Sequence, residues 1–307
     1  MILIGENIHI ISTSVKEAYL NKNEKFFKNL ISLQDNMEYV DLNVGPAKGD
    51  FSGILPWLTN LVQKYSPQKG ISFDTTNFEE MVNGFETFKN SSNTFINSTS
   101  SDEEKFEKLS NLALKKNCNI IALTLSKETG IPKTSDGRLE LAFSMYERFL
   151  EKGVDTNKIF FDPLILPICA DQSQASEALN TIKMIKESFD PPVKTVIGLS
   201  NVSNGCPSNL RGLINRVFAV LAYGAGLDCA IVDAKDLELV RIIKMLEEKL
   251  PQSETDNLYM KLAQMIENFE NPEDIEYNKD SKEEMNIMKT VSILLDNEVY
   301  SNCFTQT

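Results

Sequence analysis

"KTVIGLSNVSNG", Lys194 to Gly205, opens as an aliphatic run and changes character at Gly198, ending in asparagines, serines and glycine. The first half reads as a strand buried on both faces, the kind found in parallel sheets. The second half would be out of place in a core. A strand that leaves the core by delivering small polar side chains suits the C-terminal mouth of a parallel barrel, so this stretch predicts an architecture and a site together.

Seven further runs share the pattern: "ILIGEN" (2–7), "YVDLNV" (39–44), "GISFDTT" (70–76), "TFINSTS" (94–100), "NIIALTLS" (119–126), "IFFDPLI" (159–165) and "LDCAIVD" (227–233), with the seventh strand read as 194–203. Between them lie segments whose apolar residues recur at helical spacing, such as Phe106, Leu109, Leu112 and Ala113, or Leu179, Ile182, Met184 and Ile185. Asp102 reads as a helix start, and an Asp136–Gly137 turn as the entry to "RLELAFSMYERFLEK". Eight strands alternating with helices predict a (β/α)8 TIM barrel. The competing open doubly wound sheet is disfavoured because no GxGxxG follows the first strand.

After Asp233, "LELVRIIKMLEEKL" reads as the eighth helix. Residues 248–284 are acidic and read as a helical insertion within the C-terminal region of one domain spanning 1–307, too poor in apolar residues to bury a core of their own.

Composition narrows the function classes. With 44 acidic and 31 basic residues and a net charge of -13, the chain is a poor partner for nucleic acid or an anionic membrane. A single histidine, His9, and five cysteines without a CxxC pair argue against zinc sites and histidine-based nucleophilic triads, and no bound metal is expected. The opening "MILIGENIHI" has neither a basic n-region nor a membrane-length apolar run, so a cytoplasmic location is expected.

The strand ends carry Glu6 and Asn7, Asp41 and Asn43, Asp74, Asn97, Thr124, Asp162, Ser200 and Asn201, and Asp233. Many residues of these types serve only as helix N-caps, and Thr76, Asn77, Ser100 and Asp102 fit that role. Asp162 does not, because Pro163 and "LILPI" follow it; Asp74 lies three residues before the next helix and is also a poor cap. Glu6 and His9 fit a buried local hydrogen bond as well as a part in the site. With no Lys or Arg at the strand ends, phosphate is disfavoured deep in the mouth. Carboxylates and amides suit a neutral heterocycle rich in N–H donors. A 2-amino-4-oxo pterin has that pattern, although spacing alone would not single it out.

The motifs "IGENIH", "DLNVGP", "SFDTTN", "INSTS", "TGIPKTSDGRL", "DPLILP", "GLSNVSNGCPSNLRGLINRVF" and "GLDCAIVD" occur in this order. Together they resemble the methyltetrahydrofolate methyltransferases that work with corrinoid proteins, relatives of dihydropteroate synthase and of the folate domain of methionine synthase. The resemblance covers Met1 to Asp236 and resumes at "TVSILLDNEVYSNCF". It implies a pterin-binding TIM barrel, a homodimer, and exchange of the N5 methyl of methyltetrahydrofolate with the cobalt of a corrinoid carried by a partner protein. Carried over by motif, Asp74, Asn97 and Asp162 would hydrogen-bond the pterin, and Asn201 would sit against N5 as the key catalytic group. Asp41 and Asn43 would support the pocket, and Arg211 and Asn215 would frame its rim.

The implied displacement needs positive charge on N5 to make the amine a leaving group, and an Asn amide can stabilise it by donating or accepting. The amide is no acid, so the proton is expected to arrive through water or solvent. Two rival readings are a dihydropteroate-synthase-like enzyme and a non-catalytic pterin-binding subunit. The first needs a pyrophosphate site and a late-strand Lys, where this chain has "GLSNVSNG". The loop "NGCPSNLRG" and the acidic stretch depart from the family pattern, so the partner stays open between an O-demethylase or methylamine-type corrinoid protein and the corrinoid/iron-sulfur protein.

Overall fold

Strand formation follows from where the β-branched and aromatic residues fall, and the alternation along each strand decides what faces the barrel axis. The computed structural model describes residues 1–306. Its strands are β1 (Ile2–His9), β2 (Tyr39–Gly45), β3 (Gly70–Thr75), β4 (Thr94–Thr99), β5 (Asn119–Leu123), β6 (Ile159–Asp162), β7 (Lys194–Gly198) and β8 (Cys229–Val232). They pair in parallel in sequence order, and β8 returns to β1 to close the barrel. The expected TIM barrel is therefore the fold.

The helices that cover it are α1 (Thr13–Leu20), α2 (Glu24–Leu33), α3 (Ile54–Tyr65), α4 (Phe78–Thr87), α5 (Glu103–Lys116), α6 (Ser135–Glu151), α7 (Ser173–Ser188), α8 (Ser208–Gly224) and α9 (Leu237–Glu248), followed by α10 (Glu254–Asn268) and α11 (Lys282–Leu294). On β2, Val40, Leu42 and Val44 point outward into the apolar layer beneath the helices, which leaves Tyr39, Asp41 and Asn43 for the interior. The same period of two turns Ile71 and Phe73 outward on β3, leaving Ser72 and Asp74 inside. The lower interior is filled by Ile4, Phe95, Ile121, Phe160, Val196 and Cys229, with the Tyr39 and Phe160 rings each packed edge-on to Phe95 at 4.8 Å. That plug closes the N-terminal end. A cavity opens at the C-terminal mouth, where the inward positions turn polar.

Several boundaries differ from the sequence reading. The seventh strand stops at Gly198, and residues Leu199–Ser203 form a 3-10 helix, so Asn201 is carried by a turn rather than by a strand. The fifth strand ends at Leu123 and the sixth at Asp162, shorter than expected because the apolar residues beyond them pack without strand partners. The Asp136–Gly137 turn is absent: α6 already begins at Ser135, capped by Thr134 Oγ1, which accepts from Gly137 N at 3.3 Å. The predicted caps Asn77 and Asp102 do begin α4 and α5.

The acidic C-terminal stretch builds no core of its own. Instead α10 buries Leu258, Tyr259, Leu262, Ala263 and Met265 in the outer layer that also holds Val217, Leu221 and Ala222 of α8. A Cβ on Gly224 would collide with the backbone of Ala263, so only glycine there allows the two helices to approach this closely. Asp256 of α10 takes two hydrogen bonds from Arg241 of α9, at 2.7 and 3.1 Å. No helix among the described residues is long and apolar enough to cross a membrane.

Candidate functional site

The polar inward positions surround a cavity of about 330 Å³ at the barrel mouth, lined by Glu6, His9, Ile11, Asp41, Asn43, Asp74, Asn97, Asp162, Gly198, Asn201 and Ile231. Six of the eight positions that the sequence places at the site, Asn201, Asp74, Asn97, Asp162, Asp41 and Asn43, thus share one cavity. The strand register explains how. Asn43 is the cross-strand neighbour of Asp74, and Asp74 that of Asn97, so residues distant in sequence stand side by side.

These side chains hold one another in place. Asn43 Nδ2 donates to Asp74 Oδ2 at 2.5 Å, and Asn97 Nδ2 donates to Asp41 Oδ1 at 3.3 Å. Asp162 Oδ1 accepts from Leu164 N at 2.7 Å, which turns the chain sharply after β6 and fixes the carboxyl. Asp41, Asn97 and Asp162 are buried, and Asp74 and Asn43 are half-buried.

Burying carboxylates without compensating charge disfavours their ionised form. Burial pushes the Asp162 carboxyl up to about 7, against the pull of the Leu164 N–H and the Arg138 guanidinium. Asp74 is likewise raised by burial to about 7, with Lys105 opposing. Asp41 is raised by burial and then by the nearby Asp74. Such groups are poised for a ligand that presents N–H donors, since each donor offsets the cost of carrying charge there.

The opposite side of the cavity is built differently. Asn201 is exposed on the 3-10 helix, and its amide folds back over Gly198 so closely that a Cβ at 198 would stand 2.9 Å from Nδ2. Ser200 Oγ donates to Glu6 Oε1 at 2.5 Å, tying the 3-10 helix to β1. Burial pushes the Glu6 carboxyl up, against the Ser200 hydrogen bond. Beyond β8, Asn7 Nδ2 donates to Asp233 Oδ1 at 2.6 Å and Asn7 Oδ1 accepts from Ala234 N at 2.9 Å.

Arg211 and Asn215 are not among the residues that line the cavity. Both lie on α8. Arg211 Nε donates to Ser203 Oγ at 3.3 Å and so supports the turn that bears Asn201. Asn215 keeps its amide oxygen buried without a hydrogen-bond partner among the described residues. The Glu6–Ser200 hydrogen bond was not legible in the sequence, where the two residues are 194 positions apart. No group of three or more His, Cys, Asp or Glu side chains among the described residues is arranged to hold a metal ion.

The chain is thus an eight-stranded parallel barrel whose mouth presents carboxylates and amides. The family described as Pterin binding enzyme matches residues 37–233, and the chain belongs to it. Among curated proteins, the methylcorrinoid:tetrahydrofolate methyltransferase of Eubacterium limosum is 26% identical over 247 residues, covering 79% of this chain and 89% of that protein. Methionine synthase of Mycobacterium tuberculosis (strain ATCC 25618 / H37Rv) is 32% identical over 139 residues, 44% of this chain but 12% of that protein. Among solved structures, dihydropteroate synthase (folP) from Coxiella burnetii, in complex with pteroic acid, superposes with a TM-score of 0.57 at 14% identity, covering 80% of this chain and 92% of that one. Yersinia pestis dihydropteroate synthase with a pterine-sulfa conjugate gives 0.55 at 15% identity, covering 80% and 94%. At these identities the solved structures show the fold.

Proposed function

We propose that the protein binds methyltetrahydrofolate by its pterin ring and exchanges the N5 methyl with the cobalt of a corrinoid carried by a separate protein. The observation that carries this reading is the meeting of buried Asn97 and Asp162 and half-buried Asp74 with exposed Asn201 around one cavity. The 2-amino and N3–H edge of a pterin supplies adjacent donors for a carboxylate, and Asn97 can both donate and accept. The ring then lies with N5 towards Asn201, and the methyl faces the open mouth, where a second protein can present its corrinoid.

In the forward direction cobalt(I) attacks the methyl carbon, the C–N5 bond breaks, its electron pair returns to N5, and N5 takes up a proton to leave tetrahydrofolate as a neutral amine. Asn201 stabilises charge at N5 by hydrogen bonding. The reverse reaction uses the same groups. The relative from Eubacterium limosum, whose name joins a methylcorrinoid to tetrahydrofolate, supports this chemistry, and its length matches this chain closely. The dihydropteroate-synthase-like reading is disfavoured because no cationic side chain lines the cavity to receive a pyrophosphate.

We further infer a homodimer working in the cytoplasm, with either an O-demethylase or methylamine-type corrinoid protein or the corrinoid/iron-sulfur protein as partner. Mixing the protein with methyltetrahydrofolate and cob(I)alamin and following the cobalt spectrum tests the activity. Conversion to methylcobalamin is expected; folate binding without conversion would leave a pterin-binding subunit.

A further inference from the structure

Resting on the proposed function, the reaction needs a proton at N5, and an Asn amide cannot supply one. The carboxyl groups in the cavity are the candidate sources, and their partners separate them. Asp74 accepts from Asn43, Asp41 from Asn97 and Asp162 from Leu164 N, all on the β2, β3 and β6 side. Each is committed to the side that would grip the pterin's donor edge. Glu6 is different: it lines the same cavity from β1, and its hydrogen bond runs to Ser200, the residue before Asn201.

Only Oε1 of Glu6 has a hydrogen-bond partner among the described residues, so Oε2 is left to carry a proton. His9 also lines the cavity, but it stands three residues further along β1, opposite Asn43 of β2.

We propose that Glu6 is the general acid of the methyl transfer, donating its carboxyl proton to N5 as the methyl leaves. In the balanced step the Glu6 O–H bond breaks and an N5–H bond forms. The C–N5 electron pair passes to N5, and cobalt(I) supplies the pair that forms the cobalt–carbon bond. Glu6 is left as carboxylate, tetrahydrofolate as the neutral secondary amine, and solvent then reprotonates Glu6. In reverse, the carboxylate accepts the proton that N5 loses on methylation.

The surroundings suit a carboxyl that cycles between both states. Burial and the Asp233 carboxylate favour the protonated form, while the Ser200 hydroxyl and the Arg211 guanidinium of α8 favour the ionised one. Asp41 on β2 is within electrostatic reach as well, and the charges of Glu6 and Asp41 disfavour each other. Because its affinity for the proton is raised, Glu6 keeps more of its acid form near neutral pH than an ordinary glutamate does.

The test is Glu6→Gln, which keeps an acceptor for Ser200 and removes the acid. Folate affinity by calorimetry and single-turnover transfer to cob(I)alamin are measured for both proteins across pH. Wild type is expected to lose rate as pH rises through the Glu6 ionisation. Glu6→Gln is expected to bind methyltetrahydrofolate within about threefold of wild type yet transfer at least ~100-fold more slowly, without that alkaline limb.

Transfer by Glu6→Gln within threefold of wild type, or an alkaline limb that persists unshifted in the variant, overturns the assignment. Should Glu6→Gln fail to bind folate, Glu6→Asp decides: a displaced alkaline limb supports the acid role and an unmoved one overturns it. Absence of transfer by wild type itself would instead count against the proposed function, which keeps the two failures apart.

Discussion

The two sides of the barrel mouth are made by different means. On β2, β3, β4 and β6 the polar groups sit at strand ends, buried or half-buried, and several are locked in pairs such as Asn43 with Asp74 and Asn97 with Asp41. On the β7, β8 and β1 side, the strand ends early and an exposed Asn201 rides on a 3-10 helix held by Glu6 below and by Arg211 from α8. Rigid strands suit recognition, because a pre-ordered acceptor costs little to organise when the ligand arrives. A short turn suits chemistry beside an open face, where a second protein must approach. The division predicts that affinity and rate are separable by position.

The largest effect on affinity is expected where the first side is broken. Asp162→Asn should weaken methyltetrahydrofolate binding about 100-fold by calorimetry, because the pterin N–H donors lose a carboxylate that no water can replace at that depth. Binding within threefold of wild type would remove Asp162 from the pterin contacts.

The same substitution should act on the unliganded fold in the opposite sense. The Asp162 pKa is raised to about 7 in the native state against an ordinary value of 3.8. Between those values the native state holds the proton more tightly than the unfolded chain, so stability falls as pH rises from about 4 to about 7. Asp162→Asn removes that penalty. Its unfolding free energy should exceed that of wild type at pH 8 by on the order of 2 kcal/mol, and by little at pH 4, in denaturant titrations at the two pH values.

A smaller effect is expected on the second side from Gly198→Ala. Its backbone φ of -84 accommodates any residue, so folding should be unaffected, but the new Cβ displaces the Asn201 amide. Transfer should fall about tenfold with folate affinity unchanged, since a small misplacement of a reacting group costs rate before binding. An unchanged rate would mean that the observed Asn201 rotamer is not the productive one. The smallest effect should come from Arg211→Lys, which keeps the charge but weakens support for Ser203; a reduction of transfer by about threefold is expected at constant affinity.

The first side was legible from sequence because two local rules overlap there. Alternation along "YVDLNV" and "SFDTTN" assigns Asp41, Asn43 and Asp74 to the face opposite the valines and phenylalanine, and a parallel barrel gathers those faces. The second side was less legible. "GLSNVS" was read as strand because its leucine and valine continue the apolar pattern, yet both are buried under a turn rather than in a sheet. The Glu6–Ser200 contact depends on β1 and β7 meeting the same cavity through barrel closure, which no local pattern encodes. For the acidic stretch the sequence shows only that it has too few apolar residues for a core of its own; that α10 packs on α8 at Gly224 is not encoded locally.

The separation of binding from chemistry is tested most directly by Asn201→Ala, measured for folate affinity by calorimetry and for single-turnover methyl transfer to cob(I)alamin at saturating folate. The predicted result is an affinity within about fivefold of wild type and a transfer rate lowered by ~100-fold or more. A variant that transfers methyl at the wild-type rate, or that loses affinity and rate in equal proportion, would contradict the account.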